Sequence, residues 1–131
     1  MNIALVAHDN KKVLMENLCV AYRHILNKHT IYATGTTGRH VEDTAGVKVN
    51  KFLEGQLGGG QQLESQIVCN YIDLVIYLRE PVAKDEDNKH LLQIMTACDE
   101  HNVPLATNLA TAEALLLGLD KGDLNWREAY K

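Results

Sequence analysis

The stretch Thr30-Ile31-Tyr32-Ala33-Thr34-Gly35-Thr36-Thr37-Gly38 decides how the rest of the chain is read. Residues 30–33 are a short apolar run that favours a strand. The run stops in a turn that carries three hydroxyls (Thr34, Thr36, Thr37) and two glycines (Gly35, Gly38), and a helical pattern follows. Glycine lets backbone N–H groups approach a ligand closely, and threonine adds hydroxyl donors without charge. A helix that starts at Thr36 or Thr37 aims its free N–H groups and its positive dipole end into the same place. Together these groups make a site for a phosphate or a carboxylate. The turn is not a Walker A loop, because no Gly-Lys-Ser/Thr follows, and it is not the dinucleotide GxGxxG. Taken alone, it reads equally well as a turn with a threonine N-cap.

Working outward, the same alternation of apolar run and helical pattern recurs. Residues 3–7 are near-continuously apolar, as in a parallel strand covered on both faces. His8-Asp9-Asn10 ends that strand, and Asp9 or Asn10 can cap the helix that follows. That helix places Leu14, Leu18, Ala21, Tyr22 and Ile25 on one face. A second helix is expected over residues 39–44, ended by Gly46 as a left-handed C-cap, with a third strand over 47–50. A glycine-rich loop, 51–60, leads to a helix over 61–71 with Leu63, Ile67 and Val68 inward. The fourth strand is 74–78, followed by a polar loop to residue 88 that contains Asp85-Glu86-Asp87. A helix over 89–101 is expected to bury Leu91, Leu92, Met95 and Cys98. A fifth strand over 103–107 and a last helix over 111–119 complete the pattern, and Leu124, Trp126 and Tyr130 are the apolar anchors of the tail.

Five strands alternating with helices predict an α/β fold: one doubly wound domain over residues 1–131, with a five-stranded parallel sheet flanked by helices, flavodoxin-like. Such sheets bind ligands outside the C-terminal ends of their strands. His8, Asp9 and Lys12, then Thr34 to Gly38, then Glu54 to Gly60, then Glu80 to His90, and finally Thr107 and Asn108 all fall at those ends. One rim therefore collects a cation, hydroxyls and titratable groups, which points to a small phosphorylated ligand.

The totals restrict the function further. A length of 131 residues suits one core. The net charge of −4 argues against a nucleic-acid partner, which calls for a clustered excess of Lys and Arg. The apolar start is too short, and turns polar too quickly, for a signal peptide or a membrane span, so no membrane partner is expected. Cys19, Cys69 and Cys98 are odd in number and far apart, so they form no disulfide framework and no zinc knuckle. They read as buried thiols in a reducing, cytoplasmic setting.

Four segments carry a resemblance that covers essentially the whole chain. They are Ala-Leu-Val-Ala-His-Asp at 4–9, Ala-Thr-Gly-Thr-Thr-Gly at 33–38, Gly-x-x-Gly-Gly-x-Gln-Gln at 55–62 and Pro-Leu-Ala-Thr-Asn at 104–108. Together with Gly-Asp-Leu-Asn-Trp-Arg at 122–127, they resemble the methylglyoxal synthase family. The same fold serves as an allosteric ligand module in carbamoyl-phosphate synthase and as a catalytic domain in IMP cyclohydrolase. The resemblance implies a carbon–oxygen lyase of the glycolytic bypass, without metal or organic cofactor and homohexameric. Such an enzyme takes a proton from dihydroxyacetone phosphate, forms an enediolate and expels phosphate to leave methylglyoxal. It implies that Lys12, Thr34, Gly35, Thr36, Thr37 and Gly55 hold the phosphate, that His8 sits by the substrate oxygens and that Asp9 orients the site.

Three departures fall on the chemistry. The family's general-base aspartate, in Gly-Gly-Asp-Gln, is replaced by Gly60. The serine before the first glycine of that loop is Glu54, whose carboxylate repels phosphate unless it turns away or is protonated. With no gap placed after strand four, Asp87 stands at the family's substrate-contacting histidine and His90 at its supporting aspartate. The plainer reading of that pair is a solvated acidic loop and a helix-start histidine. Losing a general base typically costs a factor of about 10² to 10⁴. Three functions follow from this: a synthase in which Glu54 or Asp87 substitutes as base, a non-catalytic module that binds phosphate or a phosphorylated ligand, and a structural subunit of a mixed hexamer.

Overall fold

Ile3, Leu5 and Ala7 turn to one face of the sheet and Ala4 and Val6 to the other, and all five are buried. A strand buried on both faces has no polar side to spare, which is why residues 3–7 read as an unbroken apolar run. The computed structural model describes residues 1–52, 58–82 and 85–130, without the side chains of 85–87. The strands are β1 (Asn2–Ala7), β2 (Thr30–Thr34), β3 (Val49–Phe52), β4 (Leu74–Leu78) and β5 (Leu105–Ala106). They form one parallel sheet in the order β3-β2-β1-β4-β5. The fold is therefore the expected doubly wound α/β arrangement. The winding reverses between β1 and β4, which opens a crevice at their C-terminal ends.

The helices are α1 (Lys12–Ala21), α2 (Arg23–Leu26), α3 (Gly35–Ala45), α4 (Gly59–Val68), α5 (Asp85–His101) and α6 (Leu109–Asp120). Met15, Leu18 and Cys19 of α1, Val41 and Ala45 of α3 and Ala112, Leu116 and Leu119 of α6 cover the face that carries Ile3 and Leu5. Leu63 and Ile67 of α4 and Leu91, Ile94, Ala97 and Cys98 of α5 cover the face that carries Ala4 and Val6. Among the described residues, no helix is long and apolar enough to cross a membrane.

Several boundaries differ from the sequence expectation, each for a local reason. A 3-10 turn, Asp9–Lys11, precedes α1, and neither Asp9 nor Asn10 caps it with a side chain. The long first helix breaks at Tyr22 into α1 and α2, and Ala21 is exposed. Helix α3 starts at Gly35, inside the Thr/Gly turn itself, rather than at residue 39. Gly46 does end it, in the left-handed region at φ 66°. Strand β3 lies two residues later than expected, and α5 starts at Asp85.

Core assignments also shift. Leu92, Met95 and Val68 are exposed, and Ile94 and Ala97 fill the α5 core stripe instead. Cys69 is exposed. Burial pushes the Cys19 and Cys98 thiols up to about 12, so both stay protonated and inert at neutral pH. In the tail, Leu124 is buried, but Trp126 and Tyr130 are exposed. The buried anchor of the 3-10 segment Asn125–Tyr130 is a charged residue, Arg127.

Candidate functional site

Thr34 closes β2 and is the N-cap of α3, in extended backbone at φ −63° and ψ 151°. The Thr34 side chain does not cap this terminus. The N–H groups of the first turn, from Gly35 onward, therefore have no intrahelical acceptor and face the end of β2. Thr34, Gly35 and Thr37 are buried, and Thr36 is half-buried beside them. The Thr34 hydroxyl donates to Thr37 Oγ1 at 3.5 Å. Gly38 lies where a Cβ would come 2.9 Å from Lys51 Cγ, so its missing side chain lets α3 lie close against β3.

Lys12 is the first residue of α1, and the preceding turn throws it back over the end of β1. Its Nζ donates to the Ala7 carbonyl at 2.8 Å and to Thr37 Oγ1 at 3.4 Å. A cation, two hydroxyls and a helix N-terminus thus converge between the ends of β1 and β2. Asp9 lies 3.5 Å from Lys12 Nζ, but its side chain is fully exposed.

His8 continues the alternation of Ala4 and Val6, toward the α4/α5 face. Its backbone N–H donates to the Leu78 carbonyl at 3.1 Å. Its Nδ1 accepts the Glu80 backbone N–H at 2.8 Å. A donor at Nδ1 leaves the proton of the neutral ring on Nε2, which makes that nitrogen a donor for an oxygen. The Tyr77 ring meets His8 edge-on, with centroids 5.5 Å apart at 89°. Tyr77 Oη lies 2.9 Å from His90 Nδ1. His90 in turn lies over the start of α4, where a Cβ built on Gly60 would come 1.9 Å from His90 Nε2.

At the outer rim, the Asn10 side-chain amide donates to the Glu80 carboxylate, and the Val82 N–H donates to it at 3.2 Å. The Val82 N–H, then the Asn10 amide, holds the Glu80 carboxyl below the usual carboxylate range. On the α1/α6 side of the same edge a cavity of about 290 Å³ opens between Lys11, Leu14, Arg79, Thr107 and Asn108. Asn108 is occupied as the N-cap of α6, accepting from the Thr111 N–H.

The structure therefore brings Lys12, Thr34, Gly35, Thr36 and Thr37 together as one cluster. It brings His8, His90 and Gly60 together as a second, joined to the first at the end of β1. Asp9 is at the rim but turned to solvent. Asp87 lies in the first turn of α5, three residues before His90, and its side chain is outside the described residues. Glu54 and Gly55 also lie outside them. Tyr77 was not legible as a site residue. The available signal was a phenol in the otherwise aliphatic buried run Leu-Val-Ile-Tyr-Leu.

Residues 16–107 match the family described as the MGS-like domain. The chain is 54% identical over 128 residues to methylglyoxal synthase of Caldicellulosiruptor saccharolyticus, covering 98% of this chain and 91% of that one. It is 53% identical over 131 residues to methylglyoxal synthase of Thermoanaerobacterium thermosaccharolyticum, covering 100% and 98%. Its fold superposes on the crystal structure of methylglyoxal synthase from Elizabethkingia anophelis with a TM-score of 0.78 at 36% identity, covering 88% and 76%. A match of this extent, on a sheet and a rim of this form, places the chain in the family of MGS-like domains.

Proposed function

We propose that the chain binds dihydroxyacetone phosphate at the C-terminal edge of the sheet and converts it to methylglyoxal and inorganic phosphate. The observation that carries this reading is the convergence of Lys12 Nζ and Thr37 Oγ1 on the start of α3, which the Thr34 side chain does not cap, next to His8. A dianionic phosphoryl group matches a lysine, hydroxyls and oriented N–H groups. These donors do more than bind. Charge on the phosphate oxygens grows as the C–O bond breaks, so donors fixed in advance stabilise the departing group more than the substrate. By likeness to the family, His8 is the residue beside the substrate oxygens, where an imidazole N–H stabilises the enediolate charge that develops. The reading includes a homohexamer in the cytoplasm, by likeness to the family.

Gly60 supports a second reading. If it stands at the family's base position, the rim can bind phosphate without turnover, as a regulatory relative. The test is a pair of measurements on the purified chain. A thermal shift with inorganic phosphate and with dihydroxyacetone phosphate, lost in Thr36→Ala, is expected under both readings. Release of methylglyoxal and phosphate above the spontaneous rate is expected only under the first. A phosphate-dependent shift with no product selects the second, and no shift with either ligand overturns both.

A further inference from the structure

We propose that the cavity of about 290 Å³ between α1, the start of α6 and the ends of β4 and β5 is a second binding site, for a small organic anion with an apolar body, a carboxylate or a phosphate monoester. The cavity shares no lining residue with the cluster of Lys12 and the threonines, or with the cluster of His8, His90 and Gly60. Two consecutive lysines serve different places. Lys12 Nζ turns to the Ala7 carbonyl and Thr37 Oγ1, between β1 and β2. Lys11 lines the cavity on the β4 side.

The charge balance of the cavity carries the inference. The chain has a net charge of −4, yet two cations, Lys11 and Arg79, line this cavity, and among the described residues no carboxylate does. Both cations are half-buried. Among the described residues neither forms an ion pair. The Lys11 charge acts on the Glu80 carboxylate, but that group is occupied by the Asn10 amide and the Val82 N–H. Two partly desolvated like charges in one cavity repel, and an anion between them removes that cost. Arg79 Nε is enclosed without a partner, whereas the two terminal nitrogens are neither enclosed nor hydrogen-bonded. The outer, planar end of the guanidinium is therefore the part that meets a ligand, and it matches two oxygens of a carboxylate or phosphoryl group.

The rest of the lining sets the size and character of that ligand. The Arg79 backbone N–H donates to the Thr107 carbonyl at 3.4 Å, which joins the ends of β4 and β5 beneath the cavity. Asn108 Oδ1 accepts from the Thr111 N–H at 3.0 Å and from its hydroxyl at 3.2 Å, which leaves the Asn108 amide nitrogen as a further donor. Leu14, Leu78 and Leu109 form an apolar wall, and the core leaves Leu14 and Leu109 only partly buried. Inorganic phosphate would use the cations and not the wall, whereas an organic anion uses both. A volume of about 290 Å³ is at the low end for small-molecule sites, which suits a body of a few carbons or one ring.

The test titrates benzoate and phenyl phosphate, which share a ring and differ in head group, into the unmodified chain and into Lys12→Ala, Lys11→Gln and Arg79→Gln, read by calorimetry. At least one of the two is expected to bind Lys12→Ala as tightly as the unmodified chain, and the tighter one identifies the head group. Lys11→Gln and Arg79→Gln should each weaken that binding by about 10-fold or more, while the thermal shift with dihydroxyacetone phosphate stays unchanged. Inorganic phosphate should bind Lys12→Ala more weakly than the tighter organic anion, and equal affinity would overturn the apolar body. Binding of neither anion, or binding that Lys12→Ala abolishes and Arg79→Gln leaves intact, would overturn the inference and leave the synthase reading untouched. So would a change of assembly mass in Arg79→Gln by sedimentation velocity with anion affinity unchanged, which would assign the cavity to a contact between copies of the chain.

Discussion

The two edges of the sheet hold polar groups in opposite ways. At the N-terminal edge, Asp73 and Arg127 are almost wholly buried and paired at 3.3 Å. Asp73 also accepts the Asn2 backbone N–H at 2.8 Å. The Arg127 guanidinium donates further to the carbonyls of Asn102 at 2.6 Å and Ile72 at 3.3 Å, and to Asn70 Oδ1 at 3.0 Å. Every direction of the fork meets an acceptor, so the tail is fastened across the starts of β1, β4 and β5. At the C-terminal edge, Lys12 and Thr37 lie 3.4 Å apart and Thr34 and Thr37 3.5 Å apart, near the limit of a hydrogen bond, around a helix start that the Thr34 side chain does not cap. Donors that saturate each other stabilise a fold. Donors that are aligned but loosely matched keep capacity for a ligand.

Arg127→Ala is the most severe way to break this contrast. It leaves the Asp73 carboxylate buried without its cation, and a loss of about 3–5 kcal/mol is expected. Urea denaturation monitored by circular dichroism would measure it, and a loss below about 1 kcal/mol would show that the N-terminal edge is not the fastening point. Lys12→Ala should do the reverse. Its effect on stability is expected to be small, but removing a charged hydrogen bond to phosphate should weaken phosphate binding by roughly 10- to 100-fold, from about 1.5–3 kcal/mol. Titration calorimetry with inorganic phosphate would read this directly.

A sharper probe of the C-terminal edge is Gly60→Asp. The sequence alone suggests that this change restores a base and raises turnover. With His90 Nε2 where the new Cβ must go, the single substitution displaces the ring instead. It is expected to give no gain in phosphate release from dihydroxyacetone phosphate over the unmodified chain. Gly60→Asp combined with His90→Ala, which clears that volume, should release more phosphate than the single variant. A single Gly60→Asp that outperforms the unmodified chain would show that the two groups do not compete.

The smallest expected effect lies at the N-terminal edge again. Met1 N and His29 Nδ1 are 3.0 Å apart. Burial, then the neighbouring amino terminus, holds the His29 pKa below its ordinary value. A depressed folded-state pKa means that the unfolded chain binds the proton more readily. The contribution of His29 is therefore present above its unfolded pKa, near about 6.5, and is lost as the pH falls through that range toward the folded value. Thermal melts between pH 7.5 and 5.5 should show a slope that His29→Gln reduces.

The parallel sheet and its order of elements were legible because apolar runs and helical periods alternate without ambiguity, and β4 was read at its observed bounds, Leu74–Leu78. The strand-to-helix turn at Thr34 to Gly38 was legible for the same reason: the stretch is contiguous, and such a turn needs only local geometry. Helix starts were read late, because Gly35 and Gly59 look like loop residues until the helices that follow recruit them. Arg127 could not be read as a core residue, because its acceptors come from five separate positions between Asn70 and Asn102.

By itself, then, the order of residues determined the fold class and the sheet edge at which Lys12 and the turn from Thr34 to Gly38 lie, since each depends on periodicity or on neighbours along the chain. Only the tertiary structure decided that residue 90 stands over residue 60, that Tyr77 joins His90 to His8, and that a buried arginine clasps the tail. Those are contacts across 13, 30, 54 and more positions of chain, and only the packing of α4 and α5 on one face of the sheet, and of the tail on its edge, brings them within bonding distance.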